Sequence, residues 1–185
     1  MYIIVGLGNP TKQYEETRHN AGFLLLDAIR NEWNFPPFSP QEKYFAEISL
    51  GTWKGNKILL VKPQTYMNLS GKSVSAVAHY YRVATDHILI LHDDKDFSLG
   101  EIRIARDSSS AGHRGVQNIF DTFSTKNISR IRLGIGPVRE HVPTDAFVLE
   151  RFTSEEKEKL LSSKENVLRE IASFLSSDST HTEDM

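Results

Sequence analysis

Two short runs, NKILLVK at 56–62 and HILILHD at 87–93, carry apolar side chains at nearly every position. A strand with one wet face alternates apolar and polar residues, so a strand apolar at odd and even positions alike must be covered on both sides. Further strand-like segments lie at 2–7, 44–50, 101–106 and 130–136. Among these EIRIAR at 101–106 does alternate, which predicts one wet face and hence a mixed sheet. Helical spacing appears at 20–33, 71–82, 113–124 and 154–175. In the second of these, Val74, Val77, Ala78 and Tyr81 recur at three and four and form one apolar stripe. Strands interleaved with helices predict an α/β fold: a single-domain three-layer sandwich whose mixed, mostly parallel sheet has helices on both faces.

The length of 185 residues suits one hydrophobic core, and residues 1–175 are expected to form a single catalytic domain. FPPFSP at 35–40 reads as a connection, because strand material resumes directly after it. The polar segment SSDSTHTEDM at 176–185 is expected to be a disordered tail. No apolar run approaches the roughly 20 residues of a membrane helix, and no membrane partner is expected. The chain has no cysteine, which removes disulfides and thiolate metal sites and favours a reducing compartment. MYIIVGLGNP reads as a strand and not as a cleavable leader, so a cytoplasmic location is expected.

The net charge of −2 is unevenly spread. Residues 150–185 hold nine acidic and five basic side chains, whereas 101–139 hold seven basic against three acidic. A local excess of this kind suits phosphate, although charged runs are more often solvated faces.

Polar residue types gather where the predicted strands stop: GLGNP at 6–10, QTYMNLSG at 64–71, HDDKD at 92–96 and SSSAGHRG at 108–115. Ligands of open α/β sheets bind outside the carboxyl ends of the strands, so these loops are candidates to converge. GLGNP starts like a dinucleotide fingerprint, but Asn9-Pro10 breaks the pattern. Gly6 and Gly8 then serve either a tight turn or close passage of a ligand, and Asn9 is either a turn residue or a gripping amide. Asn68, in the turn before a helix with Ser70 as its expected cap, carries the same two readings. In TRHNAGFLLLDAI at 17–29 the apolar part is core helix, with Asn20 a candidate cap. His19 is either a helix-end residue or a proton carrier.

A metal site on HDDKD, with His19 or His113 joining, finds no paired ligand spacing, and Lys95 sits among the carboxylates. A GxSxG elbow is missing, so a serine nucleophile has no support. Activated water remains: an imidazole with ordinary pKa near 6.5 accepts its proton, a carboxylate orients the ring and amides place the water. His19, Asp93, Asn9 and Asn68 supply those groups.

GLGNP with YEETRHNAGF behind it, KPQTYMNLSGKSV, ILILHDDKD, and GHRGVQNI followed by RIRLGIG resemble, in order, the motifs of bacterial peptidyl-tRNA hydrolase. The resemblance runs from residue 2 to about 150. It implies hydrolysis of the ester between a peptide and the 3′-terminal ribose of tRNA, a role in translation and ribosome rescue, no metal or other cofactor, and a monomer. It implies His19 as the catalytic histidine, Asp93 as its partner, and Asn9 and Asn68 as the amides that hold water and the peptide end. Tyr14, Tyr66, Met67, His113 and Arg114 fall among the substrate-binding positions, and Arg103, Arg106 and Arg132 fall where the family meets tRNA phosphate.

The chain departs from the family's glycine-rich GGxxGHNG, reading SSSAGHRG, so Arg114 stands where an asparagine is usual. Arginine is longer, charged and a donor only; it can hold a phosphate, pair with an acid such as Asp94, or narrow the channel. Ala105 occupies the place of a lysine that serves the tRNA 5′-phosphate, and Arg106 beside it points to the other face of a strand. Two other readings stand against hydrolysis by activated water: a catalytically inactive RNA-binding homologue, and a metal-dependent hydrolase built on HDDKD.

Overall fold

The structure is a computed structural model that describes residues 1–176. Seven strands form one sheet: β1 (Tyr2–Gly6), β2 (Ser39–Gln41), β3 (Ala46–Trp53), β4 (Asn56–Pro63), β5 (Ile88–Ser98), β6 (Ile102–Ala105) and β7 (Ser129–Gly136), in the order β2-β3-β4-β1-β5-β7-β6. The four inner strands, β4, β1, β5 and β7, run parallel, and antiparallel strands close each side. The helices are α1 (Ala21–Glu32), α2 (Ser70–Tyr81), α3 (Arg114–Phe123), α4 (Thr144–Leu149), α5 (Ser154–Ser162) and α6 (Lys164–Ser176).

Alternate residues of the inner strands feed two apolar layers. Ile4, Ile58, Leu60, Leu89 and Leu91 pack with Leu25 and Ile29 of α1 and Ile171 of α6, while Ile3, Val5, Leu59, Val61, Ile88 and Ile90 pack with Val74 and Val77 of α2 and Ile119 of α3. Covering both faces is what the unbroken apolar runs require. Several local expectations are corrected. Residues 35–41 add a short strand, β2, on the outer side of β3. The predicted helix over 154–175 is two helices. A Thr153–Glu156 capping box starts α5, and the buried Ser163 turns its hydroxyl onto the Leu160 carbonyl at 2.6 Å, competing with helical pairing where the chain breaks. EIRIAR, for which one wet face is expected, forms the outer strand β6, and Ile102 packs partly against the core while Ile104 is exposed. Asp93 lies within β5 and not at its end. Of the segment expected to be disordered, Ser176 ends α6, and 177–185 lies outside the described residues.

The sheet's geometry makes the cleft. The β1–β5 ladder ends at Gly6 and Leu91, closed by the Leu7 N–H on the Leu91 carbonyl at 2.9 Å, whereas β5 continues along β7. Past Leu91, β5 therefore has no strand on its β1 side, and Asp93 stands beside that opening. Gly6 and Gly8 serve a purpose beyond the two readings of the sequence: a Cβ on Gly6 would lie 2.5 Å from the Gly22 carbonyl oxygen, and one on Gly8 2.7 Å from the Phe23 ring. Their lack of a side chain lets α1 seat closely on the end of β1.

Candidate active site

Arg18, His19 and Asn20 form a single 3-10 turn ahead of α1. With three residues per turn their side chains leave in three directions. Arg18 is buried; it donates to Glu156 at 2.7 Å and lies over the Phe147 and Phe152 rings. Asn20 sits at the cap position of α1 but makes no capping bond. Instead its Oδ1 accepts the Asn9 N–H at 2.8 Å and its Nδ2 donates to the Asn9 carbonyl at 3.0 Å. His19 is left to face the cleft. The turn is anchored by the Arg18 N–H on the Glu150 carbonyl and by a bridge between Thr17 and Arg151.

His19 Nδ1 lies 2.8 Å from Asp93 Oδ1, and His113 Nε2 lies 2.9 Å from the same oxygen. Partners fix the proton positions. His113 Nδ1 accepts the Val116 N–H at 3.2 Å, so its Nε2 carries hydrogen and donates to Asp93. A buried carboxylate is an acceptor, so His19 Nδ1 also donates, and Nε2, without a partner among the described residues, is left with a free lone pair. Burial alone would raise the Asp93 carboxyl, but the charges and hydrogen bonds of His19 and His113 outweigh it and hold the group far below the usual carboxylate range. Burial likewise disfavours a charged His19, yet attraction and hydrogen bonding to Asp93 outweigh it and carry its pKa above the ordinary histidine value.

Asn9 Oδ1 accepts the Met67 N–H at 2.8 Å, which joins the loop after β1 to the turn after β4. The Nδ2 donor of Asn9 has no hydrogen-bond partner among the described residues and is available to a ligand. Ser70 is the first residue of α2 and not its cap; its hydroxyl donates to the Met67 carbonyl at 2.8 Å. Asn9, Tyr14, His19, Tyr66, Met67, Asn68, Asp93, His113 and Arg114 all line one cleft of about 520 Å³, together with Thr144, Asp145 and Leu149 from α4. All nine of the residues expected to serve catalysis or substrate are thus brought together. Arg114 pairs with Asp145 at 2.7 Å and not with Asp94, which accepts from Arg132 at 2.7 Å.

The three arginines expected at phosphate lie outside that cleft. Arg103 and Arg132 are cross-strand partners and share the Phe97 ring, while Arg106 stands apart, donating to Asn127 at 2.8 Å. Arg130 does not belong to the surface at all. It is buried, donates to both Ser108 oxygens and the Ser109 carbonyl, and faces His92 Nε2 at 3.3 Å. His92 in turn donates Nδ1–H to the Asp93 carbonyl at 2.8 Å, and burial holds it well below the ordinary histidine value. Asn20, which supports the cleft, and Asp145, Thr144 and Leu149, which line it, had no such role in the sequence reading. Asn20 was visible only as a cap, and Asp145 lies in PTDAFVL, which shows no strand-end pattern.

A metal centre on HDDKD conflicts with this geometry, since His92, Asp94 and Asp96 turn to the Asp93 backbone, Arg132 and Lys95. His19, Asp93 and His113 do converge, with ligand atoms all within 4.8 Å of one another. Among the described residues no helix is long and apolar enough to cross a membrane.

A family model described as peptidyl-tRNA hydrolase matches residues 3–185. The chain is 38% identical to the peptidyl-tRNA hydrolase of Clostridium botulinum (strain Alaska E43) over 178 residues, 96% of this chain and 91% of that one. It is 40% identical to that of Brevibacillus brevis over 157 residues, 85% and 82% of the two chains. The crystal structure of peptidyl-tRNA hydrolase from Acinetobacter baumannii superposes with a TM-score of 0.88 at 30% identity, covering 97% of this chain and 91% of that one.

Proposed function

The chain belongs to the peptidyl-tRNA hydrolase family, and from that premise we propose that it hydrolyses the ester joining a peptide to the terminal ribose of tRNA by water activated at His19. The observation that carries this reading is the 2.8 Å contact of His19 Nδ1 with Asp93, which leaves Nε2 as the free base in a cleft. Nε2 takes a proton from water as the oxygen attacks the ester carbonyl. The imidazolium, stabilised by Asp93, then gives that proton to the departing ribose oxygen as the carbonyl re-forms. Peptide acid and free tRNA result, and His19 returns to its starting state.

Asn9 Nδ2 is unpaired among the described residues, which suits it to donate to the carbonyl oxygen as charge develops there. Asn68, exposed on the facing turn, can hold the water or peptide backbone, with Tyr14, Tyr66 and Met67 as the apolar wall. Arg103 and Arg132 around Phe97 suit the tRNA backbone, which predicts binding without sequence preference and with strong salt dependence. Arg106 sits farther along the same edge. The reaction needs no metal or other cofactor, and one chain, as a single catalytic unit, holds every group used; a cytoplasmic monomer fits that chemistry.

The test is release of N-acetyl-amino acid from N-acetyl-aminoacyl-tRNA in the presence of a chelator. Turnover supports the reading. Tight RNA binding without release would instead identify an inactive RNA-binding homologue, and turnover restored only by added metal would identify a metal-dependent hydrolase.

A further inference from the structure

Arg114 and Asp145 face each other across the mouth of the cleft, one opening α3 and the other in the first turn of α4. Among the described residues their 2.7 Å contact is the one ion pair that either charged group makes, although their side chains are 68% and 73% exposed. An ion pair this exposed contributes little to stability, so the fold does not depend on it. What the pair does record is that the Arg114 guanidinium, from where it stands, meets a carboxylate in hydrogen-bonding geometry inside the substrate cleft. The N-terminal end of α3 adds a favourable field for negative charge at the same place.

Resting on the hydrolase reading above, we infer that Arg114 is a carboxylate-binding subsite at the cleft mouth, occupied by Asp145 when empty and taken over by an acidic side chain of the tRNA-linked peptide. Exchange of one carboxylate for another leaves the guanidinium paired throughout. Asp145, on a short helix and largely in water, is hydrated when displaced, so the exchange carries little penalty. A peptide with a neutral amide at the same position offers no charge to compete with Asp145 and must leave the pair closed.

The measurement is kcat/KM on one tRNA body carrying N-acetylated dipeptides that differ only by glutamate or glutamine, placed at either position. The unaltered chain is expected to favour glutamate at one position by roughly two- to fivefold, the range of an exposed ion pair. Arg114→Asn brings the ratio to about one, and Asp145→Asn raises it by removing the resident competitor. A ratio near one at both positions in the unaltered chain, or a preference that survives Arg114→Asn, overturns the subsite while leaving hydrolysis intact. Hydrolysis of none of these substrates removes the functional reading and the subsite together.

Discussion

The side-chain amide of Asn20 closes both hydrogen-bonding groups of the Asn9 backbone, at 2.8 Å to its N–H and 3.0 Å to its carbonyl. Asn9 is thereby held from behind, and its own side chain is free to bridge to Met67 and face the cleft. Asn20→Ala leaves two buried backbone groups unpaired, for a loss of about 2–4 kcal/mol. Asn20→Asp retains an acceptor for the N–H but sets a second oxygen against the Asn9 carbonyl and buries a charge, so it should cost at least as much as Asn20→Ala. Denaturant midpoints together with kcat/KM check this; an Asn20→Ala protein as stable and active as the original contradicts the clamp.

Asp93 fixes His19 in the form with hydrogen on Nδ1. Asp93→Asn can offer its amide N–H to that nitrogen instead and favour the opposite tautomer. Both His19→Ala and Asp93→Asn are expected to lower kcat by about 10²–10⁴-fold, the range of general-base catalysis. Binding of tRNA should change little. Retention of near-original turnover by His19→Ala ends the mechanism.

The pH profile follows from the upward displacement of His19. Water activation needs the neutral ring, so activity is lost as pH falls through the raised pKa, on the alkaline side of the ordinary histidine value. Burial opposes the charged ring, while Asp93 from β5 outweighs it; His113, the cap of α3, Arg114 of α3 and Asp145 of α4 also face it, Arg114 lowering and Asp145 raising the pKa. Asp145→Asn should therefore move the acid limb to lower pH and Arg114→Asn to higher pH. Limbs that shift together, or not at all, show that the mouth pair does not reach the base.

His19, Asp93 and His113 offer three convergent ligand atoms, and the proposed reaction uses His19 and Asp93 for proton transfer instead. Added zinc is expected to inhibit by displacing the imidazole protons that face Asp93, more strongly as pH rises, and His113→Asn should weaken that inhibition. Zinc that stimulates the reaction would reverse the assignment of roles.

Much of this was legible because apolar pattern and strand ends are local signals. NKILLVK and HILILHD predicted β4 and β5 because no wet face remained, and the four polar loops did converge. Partnerships were harder to read. Arg130 counted as surface charge because one side chain looks like any other arginine until a strand turns it inward. Asn20 passed as a cap because an asparagine before a helix has that use by default. Asp145 had no signal at all: its part depends on where α4 falls across the cleft from Arg114, a distance that no spacing in the chain encodes.

The run of β5 beyond its neighbour has a consequence in time as well as in shape. Leu89 and Leu91 are core, and Asp93 follows on the same ladder with β7. An amide there exchanges with solvent only when that ladder opens, which ties it to the most protected part of the molecule. The Asp93 and Asp94 amides should therefore exchange nearly as slowly as those of Leu89–Leu91, while the first turn of α4 exchanges early. Comparable exchange at Asp93 and Asp145 would show the two to open together. That pattern would leave the mouth free to yield while the Asp93 oxygen beside His19 stays fixed.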